Sequence, residues 1–326
     1  MNDAKLPQKV FLTGANGFIA RSLAIKYRDL GVEVCGVDFN ATPEWGVVIG
    51  DIVSPKSWKE ILAGVDLVIH CAALVSNTCT MKDAWCVNVL GTKRVLDVAS
   101  EAGVDRFMQI SSGAVYGFKY EDMMDEEAPL LPINHPYVDT KIASEHAVLT
   151  AHASGKIDST IVRPSDIYGP GSRPWVVLPV EMIKAGRFLL PANGRGKFLP
   201  LYIDDLVDGI ILAAGHDKGK GQIFNLSGDE LPTCDEYFSR LAQMVGKNKV
   251  TSVSTPVANA LTDFLGGVAR FTGKPSELGR NTMMMLARKN GLKIEKARQL
   301  LGFEPTVKLD EGLGLVKEWL SEVNII

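Results

Sequence analysis

Lys9-Val10-Phe11-Leu12 is an apolar β-type run that passes straight into Thr13-Gly14-Ala15-Asn16-Gly17-Phe18-Ile19-Ala20. Arg21 to Leu30 then continue with helical spacing, so the opening reads as strand, glycine-rich turn and helix. Gly14 permits the tight turn. Gly17 lets the backbone approach a pyrophosphate, which the helix N-terminus then stabilises. Ala20 is small enough for close packing of helix on strand. Such a turn can also be a mere bend, so the rest of the chain decides between the two.

At 326 residues the chain is long enough for two lobes or one large α/β domain with an ample core. Its net charge of -3 gives no global bias toward nucleic acid or an anionic membrane. No apolar run reaches the roughly 18 to 20 residues that span a bilayer, so no stable membrane insertion is expected. Met1-Asn2-Asp3-Ala4-Lys5 lacks the charged-then-apolar pattern of a signal segment. The cysteines at 35, 71, 79, 86 and 234 show neither a CxxC pair nor metal-ligand spacing, and Cys35 and Cys71 read as small core residues. These features point to a cytoplasmic protein with no metal.

Val32 to Asp38 is a second buried strand ending in an acid, 18 residues past Ala20. A carboxylate there accepts hydrogen bonds from both ribose hydroxyls of an adenosine and repels a 2′-phosphate. Phe39 and Asn40 supply no cation to offset that repulsion, which favours NAD over NADP. The alternative is an ordinary turn Asp. Val47 to Ile52 reads as a third strand, with Asp51 and Ile52 where an adenine could be gripped. Asp66 to Ala73 is a fourth, running into Cys71-Ala72-Ala73, small residues over which a cofactor could lie. His70 reads as a packed histidine and Asn88 as an architectural one in a helix from Asp83 to Gly103. Arg106 to Ser112 is a fifth strand, ending in hydroxyls. Alternating strands and helices argue for an α/β, doubly wound parallel sheet whose ligands bind at the strands' carboxyl ends. The run Glu121 to Glu127 reads as a solvated acidic loop.

Tyr137-Val138-Asp139-Thr140-Lys141 opens another helix, and at a spacing of four Tyr137 and Lys141 share a face. An ammonium beside a phenol lowers the phenol's pKa and lets it exchange a proton with a substrate oxygen near neutrality. Tyr-x-x-x-Lys is common by chance. It gains weight here because it lies 25 residues after Ser112, in a chain that opens with a nucleotide turn.

Together these motifs resemble the extended short-chain dehydrogenase/reductase family, within the NAD-dependent epimerase/dehydratase superfamily. The resemblance is carried by the Thr13–Ala20 turn, Asp38, His70-Cys71-Ala72-Ala73, Asn88, Ser111 to Gly117, Tyr137 to Lys141, Arg163 to Gly171 and Tyr202 to Val207. It implies a Rossmann domain over 1–165 plus about 202–228, and a smaller C-terminal substrate-binding lobe over 166–201 and 229–326. It implies that Ser112 polarises the substrate oxygen, Tyr137 is the general acid/base and Lys141 tunes it. NAD would contact Gly14, Asn16, Gly17, Phe18, Ile19, Asp38, Asp51, Ile52, Cys71, Ala72, Ala73, Ser111, Tyr137, Lys141, Pro164 and Ile167. The substrate would meet Val75, Gly113, Asp166 and Phe198. A homodimer through Asp83–Gly103 and Tyr137–Ser154 is also implied.

Two departures bear on the substrate. Sugar-nucleotide members usually carry Asn where Asp166 stands and Arg where Phe198 stands; both changes remove affinity for a diphosphate, although Arg195 and Lys197 lie near. The segments Pro256–Phe271, Gly273–Leu278, Met283–Leu286 and Ile294–Pro305 resemble the 3β-hydroxysteroid dehydrogenase-like branch, where they cover an apolar pocket. Methionines suit such ligands, and equally fill cores. The expectation is an NAD-dependent oxidoreductase interconverting a secondary alcohol and a ketone on an apolar small molecule. The alternatives are a nucleotide-sugar epimerase or dehydratase that keeps its NAD, and a non-catalytic NAD(H) sensor.

Overall fold

The computed structural model of the chain describes residues 4–120, 123–271 and 279–326. The readings at Met1-Asn2-Asp3, at Glu121-Asp122, at the side chains of 265–271 and at Gly273–Leu278 lie outside the described residues.

Among the described residues, seven strands form one sheet: β1 (Lys9–Thr13), β2 (Glu33–Asp38), β3 (Val47–Ile49), β4 (Leu67–His70), β5 (Arg106–Ile110), β6 (Asp158–Pro164) and β7 (Ile223–Leu226). Every neighbouring pair is parallel, in the order β7-β6-β5-β4-β1-β2-β3. The chain builds outward from β1 to β3, then returns to set β4 on the other side of β1. That reversal opens a crevice beyond the carboxyl ends of β1 and β4. In the register there, Thr13 pairs with both Val37 and His70.

Helices cover both faces, which explains why the strands are nearly continuous apolar runs. These helices are α1 (Phe18–Asp29), α2 (81–101), α3 (Pro136–Ala153) and α5 (Ile203–Gly215), with α4 (Leu178–Lys184) packed in the same core. The alternation of side chains along β1 sends Val10 and Leu12 to one face, with Leu23 and Tyr27 of α1, and Phe11 to the other. Phe11 shares a core with Val95, Leu96 and Ala99 of α2 and Val148 of α3, and stacks on Trp58. The first face continues without a break into Phe198, Tyr237, Phe238 and Leu313 of the C-terminal elements. Those elements are α6 (Cys234–Met244), α7 (Thr255–Phe271), α8 (Arg280–Leu286), α9 (Glu295–Leu301) and α10 (Leu309–Glu322).

Three local differences from the sequence reading have physical causes. The helix expected over 83–103 is α2, built of Met81–Ala84, a π-helical run Trp85–Gly91 and Thr92–Glu101. Asn88, inside the π-helical run, turns its amide inward to bond Leu74 and Thr140. The third strand stops at Ile49, because Asp51 begins a turn in which its own carboxylate accepts from Val53 N at 2.8 Å. The acidic stretch is not wholly a solvated loop: Met123–Met124 pairs in parallel with Gly291–Leu292.

Candidate active site

The turn after β1 has the conformation that its glycines require. Gly14 has φ 62, and a Cβ there would sit 3.0 Å from the Cα of Ala72, so the β1 turn and the β4 exit touch backbone to backbone. Gly17 is the N-cap of α1, with no side-chain cap and no acid in the first turn. The first amides of α1, at Phe18 and Ile19, therefore lack a side-chain acceptor and suit an anionic group. The small Cys71, Ala72 and Ala73 leave the strand end partly exposed.

At the end of β2 the half-buried carboxylate of Asp38 accepts from Asn16 N at 2.9 Å and Phe39 N at 2.6 Å. Asn16 in turn donates to Asn40 O at 2.8 Å and accepts from Thr42 Oγ1 at 2.8 Å, fastening the turn to the loop after β2. Each Asp38 oxygen retains acceptor capacity for a ribose hydroxyl. These residues fit a dinucleotide. Ile52, by contrast, packs under Gly91 in the core, and Asp51 is engaged in its own turn.

Behind the crevice, His70 is neutral and structural. Thr92 Oγ1 donates to Asn88 O, so it accepts from His70 Nε2–H at 3.0 Å, while Thr13 Oγ1 donates to His70 Nδ1 at 2.7 Å. Burial, with the Lys141 charge adding to it, pushes the imidazole's pKa down to about 3.

β5 and α3 bring the three candidate reacting residues together. Ser112 caps the short turn Gly113–Tyr116, accepting from Ala114 N at 3.2 Å, and its side chain stands near enough to the Tyr137 phenol to lower its pKa. Pro136 at the first position of α3 starts the helix where Tyr137 faces that serine. Lys141, one turn on, donates to Ile110 O at 2.7 Å, with its Nζ 5.9 Å from the centre of the Tyr137 ring. Burial pulls the ammonium's pKa down to about 8, with Cys71 and Glu145 acting against it. Burial also raises the Tyr137 phenol, with the nearby Ser112 hydroxyl opposing. The Lys141 ammonium is turned to the Ile110 carbonyl and stands beside the phenol ring. A phenol held in this way is a proton donor at neutral pH, beside a hydroxyl that can orient an oxygen.

On the substrate side the structure corrects two expectations. Phe198 does not line a cleft: it is fully buried, stacked on Tyr237 with ring centres 3.8 Å apart and packed edge-on to Trp175 and Phe238. Asp166 is not a free carboxylate. It is buried, accepts from Leu199 N at 2.9 Å and is ion-paired with Arg288, so its charge is met inside the fold. Gly113 also packs: a Cβ there would meet Leu292 at 2.8 Å. Val75 is exposed on the loop after β4, while Pro164 is buried and Ile167 half-buried beside the crevice.

Sequence reasoning missed Arg288, which lies 122 residues from its partner and carries no motif. It also missed Glu145, whose spacing of four from Lys141 was a usable signal.

Known proteins resemble this chain at low identity. The chain is 27% identical over 326 aligned residues to a 2-alkyl-3-oxoalkanoate reductase of Stenotrophomonas maltophilia, covering 95% of this chain and 98% of the relative. It is 26% identical over 333 residues to a 3-beta-hydroxysteroid dehydrogenase of Mycolicibacterium neoaurum, covering 94% and 89%. The solved structure of MoeE5 with UDP-glucose and NAD superposes with a TM-score of 0.79 at 25% identity, covering 97% of this chain and 99% of MoeE5. The pattern of one family spans residues 10–227, from the first residues of β1 to just past β7. The sheet, its glycine turn and the strand-end residues all fall within that span, and the chain belongs to the NAD dependent epimerase/dehydratase family, with NAD as its cofactor.

Proposed function

We propose that this enzyme interconverts a secondary alcohol and a ketone on a predominantly apolar substrate, using Ser112, Tyr137 and Lys141. The observation that carries the reading is the meeting of these three side chains at the end of β5, beside the crevice. Asp38 and the N-terminus of α1 hold the dinucleotide, and NAD, when bound, supplies the hydride acceptor or, reduced, the donor. Ser112 orients the substrate oxygen. Tyr137 gives its proton to that oxygen in ketone reduction and takes it back in alcohol oxidation. The raised phenol suits the donor role, hence reduction, at neutral pH.

The apolar substrate rests on two features. Phe198 belongs to an aromatic core and offers no charge, and the Arg288 guanidinium is committed to Asp166 and the Lys197 carbonyl. Neither is a diphosphate clamp. The named relatives, an oxoalkanoate reductase and a hydroxysteroid dehydrogenase, fit the same reading. A nucleotide-sugar epimerase or dehydratase is the second reading, favoured by the likeness to MoeE5 and by the exposed Arg195.

The test is reduced-nicotinamide absorbance, with product analysis, on a panel of hydroxysteroids and other secondary alcohols with their ketones, and a second panel of nucleotide sugars. Net redox turnover of an apolar substrate is expected, with Tyr137→Phe lowering kcat by about 10²- to 10⁴-fold. Nucleotide-sugar turnover without net NADH overturns the reading in favour of the second.

For assembly we propose a homodimer through α2 and α3. Met81, Trp85 and Leu90 are exposed on α2. A spacing of five falls on one face of a π-helical run, which places Trp85 and Leu90 together. Light scattering should give twice the chain mass, and Trp85→Glu the single mass; a monomeric wild type at micromolar concentration contradicts the proposal.

A further inference from the structure

Three successive residues at the end of β5 are held by three residues spaced four apart on α3. Ser112 stands near Tyr137, Ile110 O accepts from Lys141, and Ser111 Oγ donates to Glu145 Oε1 at 2.5 Å. Tyr137 and Lys141 belong to the proposed chemistry. Glu145, the third member, is 1% exposed and deeply committed. Arg163 of β6, 2% exposed, grips it with a two-point fork, Nε to Oε1 at 3.0 Å and Nη2 to Oε2 at 2.7 Å. The remaining Arg163 nitrogen donates to Tyr116 OH at 2.7 Å, and Tyr116 donates to Asn225 Oδ1 at 2.8 Å.

Burying two charges is costly, and apolar residues of similar volume commonly stabilise such a site as well or better. Stability is therefore a weak account of the pair, and its contacts offer another. The Ser111 amide already bonds Val162 O at 2.8 Å, so Ser111 is fixed by its backbone to β6 and by its hydroxyl to α3. That double hold sets where the next residue, Ser112, stands relative to Tyr137.

We propose that Glu145 is a positioning residue: it holds the Ser111–Ser112 strand end in register with Tyr137 and lends its negative charge to the Lys141 ammonium one turn away. The proposal rests on the Ser112, Tyr137 and Lys141 reading and adds a fourth residue that acts through two of them.

The groups facing Lys141 are few. Tyr137 and Glu145 face it from its own helix, the Ile110 carbonyl from β5, and His70 and Cys71 from the end of β4. Arg163 faces Glu145 from β6. His70 is held neutral down to about pH 3, and burial pushes the Cys71 thiol up to about 12. Among these groups, Glu145 is the carboxylate that supports the ammonium near neutrality. Its removal also leaves Arg163 unpaired, which acts in the same direction. The charged form of Lys141 then becomes less favourable, and its titration moves below about 8.

The experiment compares Glu145→Gln, Ser111→Ala and the double variant Glu145→Gln/Arg163→Met with the wild type. One readout is the pH profile of kcat on a turned-over alcohol or ketone. The other is the titration of the Lys141 side-chain carbon by NMR of lysine-labelled protein without substrate. In Glu145→Gln, kcat falls about tenfold to a hundredfold through lost register, and both the alkaline limb and the Lys141 titration move down by about one pH unit. Ser111→Ala keeps the charge, so kcat falls while the alkaline limb stays. If Glu145→Gln does not fold, the double variant still carries a downward shift, smaller because the opposing Arg163 charge is removed with the carboxylate. A Lys141 titration unmoved in both, together with an unchanged kcat in Ser111→Ala, overturns the proposal and leaves Glu145 a structural residue. The NMR readout needs no substrate, so a shifted titration in a protein that turns over no alcohol overturns the reaction reading and leaves the charge coupling standing.

Discussion

Two strand-end carboxylates, Asp38 and Asp166, stand at opposite ends of the molecule's chemistry and are treated in opposite ways. Asp38, after β2, is half-buried, and among the described residues its carboxylate is bonded to backbone amides of its own turn and of the glycine turn. Its charge remains available. Asp166, just after β6, is buried, and a guanidinium from a distant segment neutralises it. Burial raises its carboxyl above the ordinary range, while Arg288 and the Leu199 amide pull it back. An acid at the crevice is therefore a ligand group in one region and a fastener in the other. Its role is set by which part of the chain reaches it.

The sharpest way to test that contrast is to take the fastener apart. Arg288→Met leaves Asp166 in a dry site with the Leu199 amide as its one described partner, and breaking a buried pair from one side costs about 3–5 kcal/mol. The loss depends on pH with a definite sign. With its folded-state pKa raised above the unfolded value, Asp166 holds its proton in the native state where the unfolded chain has released it. The variant is therefore least impaired below the unfolded pKa and loses stability as pH rises through the raised folded one. Asp166→Asn/Arg288→Met keeps the acceptor for Leu199 N and removes both charges, so it should recover more than half of the loss. Urea unfolding across pH measures all three. A single variant as stable as the wild type at neutral pH would make Asp166 as free as Asp38.

The same contrast explains how far the sequence could be read. The nucleotide half is legible because its contacts are local or set by one sheet register. Thr13, Gly14 and Gly17 adjoin in sequence, β1 pairs with β2 and β4, and Tyr137 and Lys141 sit one helical turn apart. Periodicity and turn chemistry report such neighbours directly. The substrate half is built from contacts between segments with no shared period. Nothing near residue 288 marks its guanidinium as the partner of residue 166, so Asp166 read as a free charge. Phe198 read as exchanged chemistry at a motif position, whereas its place is set by Trp175, Tyr237 and Phe238, which arrive from two other elements. The π-helical run in α2 escaped for a related reason: an extra residue per turn leaves the apolar spacing looking helical.

A smaller effect probes the other carboxylate. Asp38→Ala removes acceptors from two amides in a half-exposed turn, so the loss of stability should be about 0.5–1 kcal/mol, well short of the effect at Arg288. The larger consequence falls on ligand binding. If each oxygen serves a ribose hydroxyl, NAD affinity should drop about tenfold or more, since a hydrogen bond to a charged group contributes about 1.5–3 kcal/mol. NADP should bind no worse than to the wild type, because the charge that repels a 2′-phosphate is gone. Parallel titrations with NAD and NADP, alongside thermal melts, read both effects. Unchanged NAD affinity with a large fall in Tm would reverse the assignment, making Asp38 the fastener of the glycine turn through Asn16 and leaving the ribose to the loop that Thr42 and Asn40 hold in place.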